Sequence, residues 1–391
     1  MVQQVEAPSR GVAARDARHI AHGFDTTGAF TIGVEEEFVL VDPASGEVRP
    51  RASEVLDGCV EHDGALEPEV VASVVEGVTP VCATLDDLGT SLHRNRSSLS
   101  TSATAAGCAL VGTGAHPFSP GDQPLAEGAR YEALAREYPW VLQEAATYGL
   151  HVHVGVQGAD RAIAICDAMR PWLPHLLALS ANSPFWRGER TGLQSTRVLL
   201  AQLYPRSGVP PVFRDYDGYC RAIRSLEVSA SVRDYTHTWW FVRPHPKWGT
   251  LEVRICDAQT DVRRSIALAA LVRALIAWID DELVLAAPAT EVPAVVIEEN
   301  VWAAARDGSH ATFIDHDLGH GVSAERSIRE LLHVLTPYVT DFGAAEYLPL
   351  LQHMVACTGA DEQLLAHQRA DGDMTALVRE LANITTRGTD A

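Results

Sequence analysis

Positive charge is scarce in this chain: 31 Lys and Arg stand against 51 Asp and Glu, for a formal net charge of -20. Nucleic acids and anionic membranes both need a basic footprint, so neither is an expected partner. Paired cysteine motifs are also missing. The seven cysteines, Cys59, Cys82, Cys108, Cys166, Cys220, Cys256 and Cys357, are scattered and form no C-x-x-C. That argues against a disulfide framework or a cysteine zinc site and reads as reduced thiols. The first residues lack the apolar core of a secretory signal. No run of about 18 apolar residues follows, so a soluble, cytoplasmic protein is expected. Neither G-x-x-x-x-G-K-[ST] nor a strand-borne G-x-G-x-x-G occurs, so any nucleotide site is neither a P-loop nor a dinucleotide fold.

What is present is ordinary globular material, 47% hydrophobic and 21% charged over 391 residues. Residues 1–27 read as a polar, poorly ordered leader, and residues 28–391 as a single domain. Helical patterns cover 88–107, 130–149 and 263–287, with more helices from about 323 onward. Residues 161–184 read as a long apolar helix that tolerates or kinks at Pro171 and Pro174. Strands and helices mix without regular β-α-β spacing, which predicts an α+β fold with a largely antiparallel sheet.

Four stretches carry chemistry. In "TIGVEEEFVLVDP", strand alternation puts Glu35 and Glu37 on one face and Glu36 among Ile32, Val34, Phe38 and Leu40 on the other. Two carboxylates one pleat apart repel unless a cation lies between them. In "GLHVHVGV", His151 and His153 share a face between Gly149 and Gly155, a pattern that suits a metal or a phosphate. In "GTLEVRICDAQTDVRRS", Glu252 and Arg254 share the polar face. In "ALEPEVVASVVEGVTPVC", Glu69 and Glu76 are seven apart, close to two helical turns, and Glu67 is the less regular member. Each alone reads equally well as a solvated surface. Together they suggest one sheet whose front is rich in carboxylate and imidazole. Such donors select magnesium or manganese over zinc, and several hard cations near arginines suit a polyphosphate.

The segments "GVEEEF", "GTGAHPF", "HVHVGV", "LLALSANSPFWRGERTGLQSTR", "WWFVRPHP", "TLEVRICDAQTDV" and "ENVWAAARDG" occur in order. This set resembles the carboxylate-amine ligases of the glutamate-cysteine ligase type 2 family. The resemblance implies a glutamine synthetase-type fold, a curved antiparallel sheet that lines the site with helices on its back. It also implies ATP, two or three Mg2+ or Mn2+ ions, and an acyl-phosphate intermediate. By the same resemblance Glu37, Glu69 and Glu76 hold one metal, while Glu35, His151 and Glu252 hold another. Arg254 then faces the transferring phosphate beside Glu252, Arg243 and His153 contact the nucleotide, and Arg197 clamps the substrate carboxylate. The chain departs from the family's usual pattern at Ala115, Leu150 and His245, near the site rather than in the ligand set.

The expected activity is ATP-dependent amide formation, with glutamate and cysteine or another amine as small-molecule substrates. The alternatives are a metal-dependent phosphotransferase acting on a carboxylate or guanidino group, and a silent nucleotide-binding protein. A homo-oligomer, with a dimer favoured, is expected. Trp239, Trp240 and His116 read as packing or turn residues, and Arg94 and Arg96 as solvated helix positions.

Overall fold

The computed structural model describes residues 20–119, 123–144, 146–229, 232–285 and 291–387. Residues 1–19 of the expected leader lie outside the described residues. Residues 20–27 pack on the fold: Phe24 is fully buried, and the Gly23 amide donates to the Pro246 carbonyl at 2.8 Å.

One sheet organises the molecule. Its strands are β1 (Ile32–Val41), β2 (Ala65–Pro68), β3 (Val74–Val78), β4 (Ala109–Val111), β5 (Gly149–Gly155), β6 (Val242–His245) and β7 (Thr250–Asp257). The order is β6-β7-β5-β1-β3-β2, with β4 paired to the far end of β1, and each pairing is antiparallel. The helices used below are α1 (Leu85–Ala105), α2 (Ala129–Glu137), α3 (Ala159–Met169), α4 (Leu173–Ser180), α5 (Thr196–Ala201), α6 (Val262–Leu285) and α7 (Met374–Thr385).

The back of the sheet is the core. Ile32, Val34, Phe38 and Leu40 of β1, Leu150, Val152 and Val154 of β5, and Leu251, Val253 and Ile255 of β7 are all at most 1% exposed. Against them lies α6, whose Ile266, Leu268, Leu271, Leu275 and Ile276 are buried around the helix. A helix apolar on all sides belongs in an interior. None of the described helices is long and apolar enough to cross a membrane. The apolar run at 161–184 is broken where expected. Pro171 falls in a 3-10 turn, Arg170–Trp172, between α3 and α4.

Two local expectations are corrected. Glu69 and Glu76 are not on a helix. Pro68 and the β-branched Val70, Val71, Val74 and Val75 favour extended chain over helix. The segment is a hairpin in which Glu67 faces Glu76 and Glu76 faces Glu37. Pro68 ends the outermost strand, where a missing amide costs no ladder bond. Arg96 is not solvated: it is fully buried against the sheet, whereas Arg94 on the same helix is half exposed.

Candidate active site

The pleat puts Glu35 and Glu37 on the front of β1, as alternation requires, and the pairing register brings their partners to them. Glu35 lies opposite His151, Glu37 opposite Glu76, and His153 opposite Glu252. Across the sheet this makes a row of Arg243, Glu252, His153, His151, Glu35, Glu37, Glu76 and Glu67. The row floors a cleft of about 890 Å³, within the range of small-molecule sites.

Two ligand-like groups form within it. Glu35, His151 and Glu252 have donor atoms within 4.8 Å of one another, and so do Glu37, Glu76 and His151. His151 Nδ1 is 2.9 Å from Glu35 Oε2, and His153 Nε2 is 3.1 Å from Glu35 Oε1. Burial opposes ionisation of Glu35, but His153 and the bonds from His151 outweigh it and hold the carboxyl below its usual range. Burial, then Arg254, lowers His151 to about 4, leaving it neutral at physiological pH and able to ligate.

The neighbouring acids behave in the opposite way. Glu37 accepts a 2.6 Å bond from the Gly149 amide, yet burial and then Glu69 push its carboxyl up to about 8. Burial, Glu35, Glu69 and Glu37 push Glu76 well up. At this end of the cleft burial and repulsion among the carboxylates outweigh the lowering effect of Arg197 and Arg254.

The arginines are held rigidly. Arg243 Nε donates to Glu252 Oε2 at 2.7 Å and Nη2 to Oε1 at 3.1 Å. Arg254 Nη1 donates to Glu252 Oε1 as well. Burial opposes ionisation of Glu252, but these two arginines hold its carboxyl well below the usual range. The β7–β5 register shifts between Val253 and Cys256. The bulge leaves the Arg254 and Ile255 carbonyls to accept from Arg197 Nη2 and Nη1, each at 3.1 Å. Arg197 Nε is buried with no partner among the described residues. Gly149 is required here. A Cβ on it would press against Arg197 Nη2 and lie 2.7 Å from His151 Nε2.

The profile of glutamate-cysteine ligase family 2 matches residues 31–380. A provisionally named glutamate–cysteine ligase 2-3 from Rubrobacter xylanophilus is 40% identical over 93% of this chain and 99% of its own length. The chain belongs to glutamate-cysteine ligase family 2. A provisionally named glutamate–cysteine ligase 2 from Sorangium cellulosum is 36% identical over 88% of this chain and 92% of its own. The fold is shared more widely. A glutamate–cysteine ligase from Francisella tularensis, solved with AMP, superposes with a TM-score of 0.65 at 12% identity, covering 93% of this chain and 90% of its own. A bifunctional glutathione synthetase from Pasteurella multocida gives 0.66 at 14% identity, over 92% of this chain and 52% of its own.

As a member of this ligase family, the chain brings every site residue named from its sequence to the row or to the cleft wall. Glu69, Glu76, Arg197, Arg243 and Arg254 all line the cleft. Tyr204, Tyr235 and Trp248, missed by the sequence reading, line it too, as does Glu67, which was named there only as the less regular acid and given no role. Trp239, read as packing, is also at the wall, while Trp240 is in the core. The alternation that exposes Glu35 also exposes Glu67 on β2, so a strand reading of residues 65–76 finds it. Isolated aromatics carry no such signal.

Proposed function

We propose that the protein is an ATP-dependent carboxylate-amine ligase that joins the γ-carboxylate of glutamate to cysteine or another amine. The observation behind this reading is the crowding of Glu35, Glu37, Glu69 and Glu76 in one cleft, where Glu37 and Glu76 are pushed up by burial and by neighbouring carboxylates, beside arginines 197, 243 and 254. The donor set tests whether a divalent metal belongs there, and it fits. Carboxylate oxygens with one neutral imidazole suit magnesium or manganese. Burial and neighbouring carboxylates oppose ionisation of Glu37 and Glu76, and a divalent cation bound between them would relieve that repulsion. Glu35, His151 and Glu252 would hold one ion, and Glu37, Glu69 and Glu76 another. Bound there, the ions neutralise the triphosphate in a net-acidic protein.

The chain's own residues do the positioning. A glutamate carboxylate oxygen attacks the γ-phosphorus, and the bond to the ADP oxygen breaks. The amine nitrogen then attacks the acyl carbon, phosphate leaves with the C–O electron pair, and the ammonium loses its proton. Arg254, whose side chain is 18% exposed, carries its charge at the cleft floor beside the phosphoryl group in flight. Arg243 is committed to Glu252 and keeps that carboxylate ionised and oriented. Arg197, with Nε unsatisfied, suits the substrate carboxylate.

The test is ADP release screened over acids and amines with mass detection of the product. The expected outcome is ADP formation that requires both an acid and an amine, with an amide product. ADP release without any amine, leaving a stable phosphorylated acid or guanidine, would make the protein a phosphotransferase instead.

A further inference from the structure

We infer that the protein carries a metal site outside the cleft, in which His353, Cys357 and Glu362 hold a zinc-class divalent cation. None of the three lines the cleft, and the inference does not rest on the ligase reading. The site joins two helices. His353 stands in the last turn of the helix Leu348–Ala356, Cys357 caps its C-terminus, and Glu362 stands in the first turn of the helix Gly359–Arg369. The Cys357 amide donates to the His353 carbonyl at 2.9 Å, so the two side chains are one helical turn apart. That is the i, i+4 spacing by which a helix offers two ligands to one zinc ion. A capping box fixes the turn that brings in Glu362. Thr358 Oγ1 accepts from the Asp361 amide at 3.1 Å, and Asp361 Oδ2 accepts from the Thr358 amide at 2.9 Å. One donor atom from each of the three residues lies within 4.8 Å of the others, and His353 Nε2 is 4.0 Å from Glu362 Oε1.

These donors are left open by the chain. Among the described residues the His353 ring makes no hydrogen bond, and the Cys357 thiol has only a long 4.0 Å contact with the Thr358 carbonyl. Glu362 Oε1 accepts from Arg264 Nη2 at 2.6 Å, which leaves Oε2 for an ion and orients the carboxylate as the outer partners of a metal site do. Arg264 belongs to α6, is 3% exposed, and donates from Nη2 to the Cys357 carbonyl at 3.2 Å. Its Nη1 is buried with no partner among the described residues. A buried guanidinium short of one acceptor calls for a further polar group, and a water on the ion's fourth position supplies one. The donor set decides the metal. Thiolate and imidazole with one carboxylate suit zinc, or cobalt in its place, and disfavour magnesium, which takes oxygen. Zinc bonds put tetrahedral ligands about 3.5 Å apart, so the cluster closes by about 1 Å, a rotation open to side chains 57% and 47% exposed at His353 and Glu362. As the metal–sulfur bond forms, the thiol gives its proton to solvent. Arg264 offsets the charge of Glu362, so the thiolate draws the ion. The sequence hides such a site from a search for paired cysteines because it uses one thiol.

Cobalt(II) is the probe. A thiolate ligand gives it a sulfur-to-metal charge-transfer absorption, and no cysteine is among the described residues that line the cleft. Titrating the whole chain with Co2+ should raise that band, and Zn2+ should abolish it by displacement. Cys357→Ser should remove it. His353→Ala and Glu362→Gln should each weaken Co2+ binding, read from the band, by at least the about 10- to 100-fold that loss of a supporting contact costs. His353 is more than half exposed, so its replacement tests the site without threatening the fold. Glu35→Gln, which alters the cleft, should leave the band unchanged. Wild-type protein that binds Co2+ without the band overturns the site. So does a band that survives Cys357→Ser, which would belong to another thiol, or His353→Ala protein that binds Co2+ as tightly as wild type.

Discussion

The two faces of β1 solve the problem of a buried carboxylate in opposite ways. On the back, Glu36 is 3% exposed and fully paired. Arg96 reaches it from α1 with Nε to Oε2 at 3.0 Å and Nη2 to Oε1 at 2.6 Å, and Ser265 Oγ donates to Oε1 at 2.5 Å. Arg96 is itself satisfied, donating to the carbonyls of Thr260 at 2.9 Å and Gln259 at 3.0 Å and lying 5.0 Å from the Phe38 ring. On the front, Glu37 and Glu76 have no bidentate arginine of this kind among the described residues and are pushed up instead. One residue's shift along the strand separates a closed charge pair, which ties β1 to α1 and α6, from an open one, which suits a mobile cation. Fixed partners build a fold; their deficit builds a site.

The largest expected effect tests that division. Glu35→Gln and Glu37→Gln should each lower turnover by more than about 10²–10³-fold, because each removes a carboxylate from the charged front. Glu35→Gln, which weakens the contacts with His151 and His153, should lower the melting temperature only modestly, and Glu37→Gln, which relieves repulsion, should raise it. Glu36→Gln should do the reverse. Leaving Arg96 as an unpaired buried charge costs about 3–5 kcal/mol of stability, while protein that stays folded keeps its turnover. Chemical denaturation and steady-state kinetics on the same three preparations check this. Equal kinetic losses at all three positions would erase the distinction between the faces.

Arg254 is the front-face counterpart of Arg96. Arg254→Lys keeps the charge but loses the planar fork, and should cost about 10²-fold in kcat, the low end for one transition-state contact. Affinity for MgATP should change much less. A large drop in melting temperature with unchanged kcat would make Arg254 a strut for Glu252, as Arg96 is for Glu36.

How much of this was legible beforehand follows from the same geometry. Period-2 alternation separated Glu36 from its neighbours and put His151 with His153 and Glu252 with Arg254, because a strand's faces follow from its sequence alone. The partner of Glu36 was not legible. Arg96 is 60 residues away on α1, and nothing local marks a helical arginine as buried. The second acidic element was found by its residues but assigned the wrong period. The seven-residue spacing of Glu69 and Glu76 fits two helical turns, whereas the hairpin returns Glu76 beside Glu67 instead. The aromatic walls were invisible for a related reason. Tyr204 and Trp248 are brought to the cleft by loops, where no periodicity operates.

Gly149 offers a smaller perturbation of the front alone. Gly149→Ala puts a methyl against Arg197 Nη2 and His151 Nε2. The shift of two positioned groups should lower kcat/KM about 10- to 100-fold, since displacements near 1 Å are enough for that. The back face is untouched, so the melting temperature should change little. An unfolded Gly149→Ala protein would mean that the front holds the fold as the back does.

The smallest effect is a slope. Glu37 titrates near 8 when folded against 4.5 ordinarily, because burial and Glu69 disfavour its charge. Between those values the folded protein keeps a proton that the unfolded chain has lost. Stability of metal-free protein from this group therefore falls as pH rises from about 4.5 to 8 and is level outside that window. Glu76 is pushed the same way and adds to the slope. Glu35 and Glu252 are held low, so what they contribute is lost only as pH falls below 4.5. A divalent cation binds the ionised carboxylates, so magnesium should raise the melting temperature by only a degree or so at pH 5 and by several degrees at pH 8, with about 1.4 kcal/mol as the ceiling per carboxylate per pH unit. Glu37→Gln should flatten the metal-free slope and shrink the gap at pH 8. Other groups add slopes of their own, so the informative quantity is the difference between variant and wild type. A magnesium gap that is the same at pH 5 and pH 8, and the same in Glu37→Gln, would show that the front carboxylates are balanced by the protein's own cations, and the contrast between the two faces of β1 would be gone.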